Sequence, residues 1–468
     1  MSRFLLDDTI AAIATPPGEG ALGIVRLSGP AALAIADRLF RSAKTHTRPS
    51  AAKTHTVHLG HIVDGDALVD EVLLTVLRAP RTYTREDMVE ITGHGGMLAL
   101  RTMLELTLAA GARLAEPGEF TQRAFLNGRI DLAQGEAVLD VIRARTDASL
   151  RAALHQLGGH LSQQLTALHE ELANLVAHVE ATLDFPEEDI EFLASARCEE
   201  RVRRVIDGLE RLCATARTGR ILRDGASVVI CGRPNVGKSS VLNALLRANR
   251  AIVAPVPGTT RDTIEELANV RGLPVRLMDT AGVAVTDDPV EREGVERSRT
   301  AIQQADLLLL VLDGSQPLAP DDEELFAAIR ALRPSSPAGS LLVLNKRDLP
   351  ARTTPEEATQ AWPAPLIEIS ALRGDGLDRL EAAMTEQLWG GAVEISDGVL
   401  VTNARHHELL RQALAACQTA LAAIEHRATL DCIAADLREA ARHLGDILGM
   451  NVQEDLLDRI FRQFCIGK

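Results

Sequence analysis

The 468-residue chain has six cysteines, at 198, 213, 231, 417, 432 and 465, and no Cys-x-x-Cys pair among them. That leaves neither a zinc pattern nor a disulfide framework, and the cysteines read as reduced thiols of a cytoplasmic protein. Long apolar runs are missing as well. The longest, LLLLVL at 307–312, is far too short to cross a bilayer, and no membrane partner is expected. The opening MSRFLLDDTIAA has no basic stretch leading into a long apolar core, so it is not read as a signal peptide. Positive charge is in deficit: 50 Lys+Arg stand against 65 Asp+Glu, a formal net charge of −15. Such a chain does not grip nucleic acid through a broad basic face, and any RNA contact is local or borrowed from a partner. The final FCIGK has the cysteine spacing of a prenylation box. Gly467 is not aliphatic, however, and Lys468 is not a usual last residue of such a box.

At 46% hydrophobic and 25% charged residues the composition is that of an ordinary globular protein, too long for one core, and about three domains are expected. Residues 1–120 mix strands and helices. ALGIVRLSG, DEVLLTVL and DMVEITGHGG have strand character, Asp64-Gly65 marks a turn, and MLALRTMLELTLAAGA has helical periodicity stopped by Gly111. From about 130 the pattern turns helical. Leu150, Leu154, Leu157, Leu161, Leu165, Leu168, Leu172, Leu175 and Val179 predict one long helix with a coiled-coil-like seam, ended near Pro186. The histidines along it, 155, 160, 169 and 178, do not share a face with metal spacing and read as solvated. Residues 222–385 alternate strands and helices. Helical periodicity returns after 400, so the α/β unit is inserted into a helical domain made of two distant segments.

VVICGRPNVGKSS (228–240) is a strand, a G-x-x-x-x-G-K-S loop and a helix. Gly232 and Gly237 permit a tight loop whose N–H groups cradle phosphate oxygens; Lys238 places charge on the β/γ-phosphates and Ser239 offers a hydroxyl to Mg²⁺. RLMDTAG ends a strand on Asp279, suited to hold Mg²⁺ through water, with Thr280 and Ala281 leading to Gly282, free to approach the γ-phosphate. PGTTRD offers Thr260 as a second Mg²⁺ ligand. LLVLNKRD supplies Asn345, Lys346 and Asp348, the last able to accept from guanine N1–H and its amino group, which adenine cannot match. EISAL places Ser370 and Ala371 behind the base. With the three later strings, the nucleotide-contacting set implied by the family resemblance that these strings carry is Asn235, Val236, Gly237, Lys238, Ser239 and Ser240, Ala254, Pro255, Val256, Pro257, Gly258, Thr259 and Thr260. Position 283, where Ras-like enzymes carry a water-orienting Gln, is Val283. Glu291, in DDPVEREG, is either a water-positioning carboxylate or a solvated acid at a helix start.

The four GTPase strings, preceded by ATPPGEGALGIVRLSG, GHGG and PGEFTQRAFLNGRIDLAQGEA and followed by FCIGK, strongly resemble the MnmE (TrmE) family of bacterial tRNA-modification GTPases, over essentially the whole chain. The resemblance implies an α+β N-terminal domain (1–122) that binds a one-carbon tetrahydrofolate, 5-formyl or methylene, and dimerises. It implies a discontinuous all-α domain (123–220 and 389–468) and an inserted Ras-like P-loop G domain (221–388). It implies a homodimer working with an MnmG-type flavoprotein, which uses FAD and NADH, as a heterotetramer. Together they build an aminomethyl-type group on carbon five of the wobble uridine of certain tRNAs. The G domains are expected to pair across the nucleotide under K⁺, the ion taking the place of an arginine finger. Asn235, the carbonyls of Ala254 and Val256, and Thr259 match the K⁺ shell; Ser239 and Thr260 match the Mg²⁺ ligands. With Lys238, Glu291 matches the catalytic set, as the water-orienting glutamate. Arg26, Glu90, Arg129 and Lys468 match the folate-contacting positions, where relatives can carry Lys at 129, and Cys465 lies beside them. Beyond Phe464 a flexible tail is expected to reach that site.

Two other classes compete. A ribosome-assembly GTPase switch would share the G domain but usually appends a basic RNA-binding module, against the −15 balance here. A coiled-coil protein with a degenerate G domain is excluded because no phosphate or guanine string is missing.

Overall fold

A computed structural model describes residues 7–43, 48–184, 196–249, 265–279, 289–334, 339–389 and 398–468. They form two compact units, Met1–Leu139 with Leu157–Val205 and Ala415–Lys468, and Asp140–Gln156 with Ile206–Leu414.

The first unit is built on strands β1 (Ile10–Ile13), β2 (Gly20–Ser28), β3 (Phe40–Ser42), β4 (Thr56–Asp64), β5 (Ala67–Leu77), β6 (Met88–Gly95) and β7 (Arg113–Leu114), in the order β3-β4-β5-β6-β2-β1-β7. All pairings are antiparallel except β1 with β7. The Asp64-Gly65 turn joins β4 to β5, with Gly65 at φ 60. Alternation sets the faces: Val72, Leu74 and Val76 of β5 are buried with Val89, Ile91, Val25 and Leu27, under the helices Ala32–Leu39 and Met97–Ala109. Helix His160–Asp184 packs along Leu430–Leu448, burying Leu161, Leu165, Leu172, Leu175 and Val179.

The single long helix expected from Leu150 to Val179 is not formed. It is two helices, Asp147–Leu157 and His160–Asp184, which fall in different units. Gly159 takes φ 84, a left-handed conformation that ends a right-handed helix and that glycine adopts without a Cβ penalty. Leu150 and Leu154 are correspondingly 37% and 48% exposed, so the seam is not continuous.

The second unit carries β8 (Ala226–Cys231), β9 (Glu265–Val270), β10 (Leu273–Asp279), β11 (Leu307–Asp313), β12 (Ser340–Asn345) and β13 (Leu366–Glu368), ordered β13-β12-β11-β8-β10-β9. Only the β9–β10 pairing is antiparallel. A parallel sheet is covered on both faces, which is why β8, β11 and β12 read as unbroken apolar runs. Val228, Ile230, Leu309 and Val311 face helices Lys238–Asn249 and Leu377–Trp389; Val229, Cys231, Leu308 and Leu310 face Pro289–Gln304, Pro320–Leu332 and Pro355–Ala361. Cys231, Asp279, Asp313 and Asn345 end their parallel strands at one edge, where open α/β sheets bind ligands.

Candidate functional site

At that edge the loop after β8 closes on itself. The Lys238 ammonium donates to the carbonyls of Gly232, at 2.9 Å, and Arg233, at 3.1 Å. Gly237 takes φ 98, and a Cβ there would lie 2.4 Å from Asn345 Nδ2, so the position tolerates glycine alone. Asn345, almost fully buried, spends both ends of its amide on neighbouring loops: Nδ2 donates to Val236 O at 3.0 Å and Oδ1 accepts from Ala371 N at 3.0 Å. Lys346 Nζ donates to Asn235 O at 2.8 Å and to Asp313 Oδ2 at 2.7 Å. Three sequence-distant strings, the phosphate loop, NKRD and EISAL, thus meet with Asp313 in one loop cluster.

Two acceptors stand ready in it. Ser370 Oγ donates to Asp348 Oδ1 at 2.6 Å, and this bond holds the Asp348 carboxyl below its ordinary range, keeping it an acceptor for a base edge. Ser239 Oγ donates to Asp279 Oδ2 at 2.8 Å, while Asp279 Oδ1 is buried with no hydrogen-bond partner among the described residues. A hydroxyl beside a carboxylate with a spare buried oxygen suits Mg²⁺ held partly through water. Asn235 sits at φ 66 with an exposed side chain that hydrogen-bonds no described residue, leaving its amide oxygen for a cation.

A second cluster lies in the first unit. Arg26, on β2, donates from Nε to Glu90 Oε1 at 2.8 Å and from Nη1 to Gly467 O at 3.1 Å, and its guanidinium lies 5.7 Å from the Phe120 ring centre. Burial first, and then the charge of Arg26, push the Lys468 ammonium below its ordinary range, with Glu90 offsetting only part. Two cations and one carboxylate thus share this corner, a charge balance that suits an anionic ligand. Arg129 instead stacks on Tyr83, 4.7 Å from its ring centre, and Tyr83 OH meets Thr121 Oγ1 at 2.9 Å. The structure therefore pairs Arg26 with Glu90, brings Lys468 close enough for both charges to act on it, and ties Arg129 to Tyr83. Cys465 is exposed.

The tail is not the loose end expected beyond Phe464. Gly118 N donates to Cys465 O at 3.3 Å, Phe120 N to Lys468 O at 3.2 Å, and Pro117 and Ile466 form an antiparallel bridge. Gly467 takes φ 96 where a Cβ would lie 2.5 Å from Ile13 O. Leu457, Ile460, Phe461 and Phe464 form an apolar stripe of helical spacing, all buried against Leu132, Val138 and Leu139, but no side-chain pattern encodes this main-chain seam.

The profile described as "MnmE helical domain" matches residues 132–465, and "GTP-binding protein TrmE N-terminus" matches residues 9–129. The tRNA modification GTPase MnmE of Geobacillus kaustophilus is 50% identical over 465 residues, covering 98% of this chain and 99% of its own. The Bacillus subtilis protein of the same name is 48% identical, covering 98% of this chain and 100% of its own. The chain belongs to the MnmE (TrmE) family. Among solved structures, Aquifex aeolicus Era is 27% identical and matches 40% of this chain and 65% of its own at a TM-score of 0.29, too low to bear on the fold.

In this MnmE-family chain Ala254, Pro255, Val256, Pro257, Gly258, Thr259, Thr260, Thr280, Ala281 and Gly282 lie outside the described residues. Glu291 falls in the first turn of helix Pro289–Gln304, its side chain outside what is described. Asp313, which no GTPase string contains, emerges as the anchor of Lys346. Burial alone would raise its carboxyl, but bonds from Lys346 and Ser315 outweigh that and lower it. No metal-binding group of three His, Cys, Asp or Glu occurs among the described residues, and no helix there is long and apolar enough to cross a membrane.

Proposed function

We propose that this chain is a K⁺-activated GTPase that acts with an MnmG-type flavoprotein to place an aminomethyl or carboxymethylaminomethyl group on carbon five of the wobble uridine of certain tRNAs. The name of the relatives, tRNA modification GTPase, supports the reaction class. The observation that carries the reading is the loop cluster in which Lys238, Ser239, Asp279 and the Ser370-held Asp348 converge.

In this reading Lys238 exchanges its loop carbonyls for phosphate oxygens, and the phosphate-loop amides and helix N-terminus bear on the same charge. Ser239 and Thr260 hold Mg²⁺, which neutralises charge on the β/γ-phosphates when bound. Asn235, Ala254, Val256 and Thr259 hold K⁺, which supplies the positive charge an arginine finger would bring. Glu291 orients the attacking water. Asp348 selects guanine. Nucleotide contacts extend over Val236, Gly237, Ser240, Pro255, Pro257, Gly258, Thr280, Ala281, Gly282, Asn345, Lys346 and Ala371.

The N-terminal domain (1–122) binds the one-carbon tetrahydrofolate, the glutamate tail of which meets Arg26, Arg129 and Lys468 with Glu90 orienting Arg26. The same domain joins two copies. Its sheet face away from the helices exposes Val57 and Leu59 on β4, Leu73 opposite Leu59 on β5, and Leu22 on β2, an apolar patch suited to an isologous partner. The segments 123–220 and 389–468 form the helical domain into whose sequence the G domain, 221–388, is inserted, and the complex works in the cytoplasm. Purified chain, flavoprotein with FAD and NADH, tRNA, methylene-tetrahydrofolate, glycine as the amine source and GTP should yield modified uridine in K⁺ but much less in Na⁺. Equal yields, or GTP hydrolysis at one rate in both salts, would overturn the reading.

A further inference from the structure

Arg233 follows the first glycine of the phosphate loop and sends its side chain to the stretch after β11. Nη2 donates to Gln316 Oε1 at 3.2 Å, and Nε lies 3.4 Å from Asp322 Oδ2 in an ion pair. The Asp322 side chain is 2% exposed and that of Arg233 18%. Asp322 Oδ2 also accepts from Ala319 N at 3.0 Å, whereas Asp322 Oδ1 and Arg233 Nε make no hydrogen bond. A carboxylate this deeply buried is costly unless a cation stands beside it, so Asp322 is partnered by design of the packing, and the partner is a phosphate-loop residue.

The backbone of Arg233 faces the other way, its carbonyl accepting from Lys238 Nζ. Two residues on, Asn235 O is gripped by Lys346, itself held by Asp313, and Gln316 N donates to Asp313 O at 3.2 Å. Both sides of Pro234 are thereby tied to the short stretch after β11, and Asn235 is held at φ 66 between them. Left-handed backbone at a non-glycine residue persists only where its surroundings over-determine it. Lys346 supplies one restraint, and Arg233 supplies the other.

We propose that Arg233, held by Asp322 and Gln316, is a positioning residue that presets Asn235 toward the monovalent cation and so sets the cation requirement of the GTPase. The inference rests on the K⁺ reading above. Asp322→Asn keeps an oxygen for the Ala319 amide and removes the charge. It should raise the K⁺ concentration for half-maximal stimulation by about fivefold or more, the scale of one weakened charge-assisted bond. GDP affinity should change by less than about twofold, because the amides and Lys238 that hold the phosphates are untouched. In nucleotide-free protein in Na⁺ buffer, amide hydrogen exchange at Asn235 and Val236 should quicken by about the same fivefold factor. Gln316→Ala, at an exposed position, should move both readouts in the same direction by less, and decides the matter if Asp322→Asn does not fold. Unchanged exchange with unchanged K⁺ demand overturns the proposal. So does a loss of GDP affinity equal to the change in K⁺ demand, which would make the pair a support of the whole loop. Wild-type protein indifferent to K⁺ would sink the cation reading alone, while the exchange rates would still decide whether Arg233 holds Asn235.

Discussion

The two candidate sites are built in opposite ways. At the nucleotide edge Lys238 bonds carbonyls five and six residues before it, within one continuous string. At the tail corner Arg26 bonds Gly467, 441 positions away, and Phe120 bonds Lys468. The phosphate loop of the first site closes on its own backbone, and the distant Asn345 and Lys346 brace it from outside. The second exists only when distant segments are docked. Its surroundings show what docking requires: Arg123, 3% exposed, is paired at once with Asp8, Glu86 and Glu119, and Arg113 with Asp8 and Glu119. Buried charges of this kind are stable only as a complete set, since removing one strands the rest. A contiguous loop therefore fails residue by residue, and an assembled corner fails as a whole.

Substitutions at the nucleotide edge should be large and confined to nucleotide chemistry. Asp348→Asn should weaken GTP binding on the order of 10³-fold by removing the acceptor of two guanine donors, and should favour xanthine nucleotides. Competitive titration with both nucleotides checks it, and a loss of folate affinity as well would erase the distinction between the sites. Glu291→Ala should lower turnover about 10²-fold with little change in nucleotide affinity, as single-turnover hydrolysis would show.

The tail corner should respond independently. Deleting residues 465–468 should cut folate affinity by about tenfold, the worth of a lost charged contact, and lower tRNA modification, with GTP hydrolysis within about twofold of the intact chain. Calorimetry with 5-formyl-tetrahydrofolate measures the first, and a parallel fall in hydrolysis would show that the two sites are coupled. Cys465→Ser refines this: full modification would leave the exposed thiol no part in the chemistry.

The smallest effect is in acid. Burial by itself would raise the carboxyls of Asp8 and Glu119, but hydrogen bonds from Arg113 and Arg123 outweigh it and leave both lowered. Groups with depressed folded values stabilise above the ordinary carboxylate range, and that contribution is lost as pH falls through the folded values. Acid below the ordinary carboxylate range should therefore reduce amide protection, taken relative to intrinsic exchange, at Gly118 and Phe120 before it does so in β8. The reverse order would mean that the buried charge set does not hold the corner.

Much of the G domain could be read in advance because its signals are local. A strand covered on both faces must be apolar throughout, so VVIC and LLLLVL announce a parallel sheet, and a loop wrapping phosphate needs its glycines at fixed intervals. The apolar stripe of helix Glu454–Phe461 was legible for the same reason. Periodicity alone could not see that Gly159 would divide the long seam, because Leu154 and Leu161 keep helical spacing across the break. Nor could it place Asp313 under Lys346, Asp322 beside Arg233, or the main-chain seam of the last residues against Pro117–Phe120. Those partners are set by which strand ends share an edge and which backbone amides lack a mate, quantities that arise only after the chain has packed.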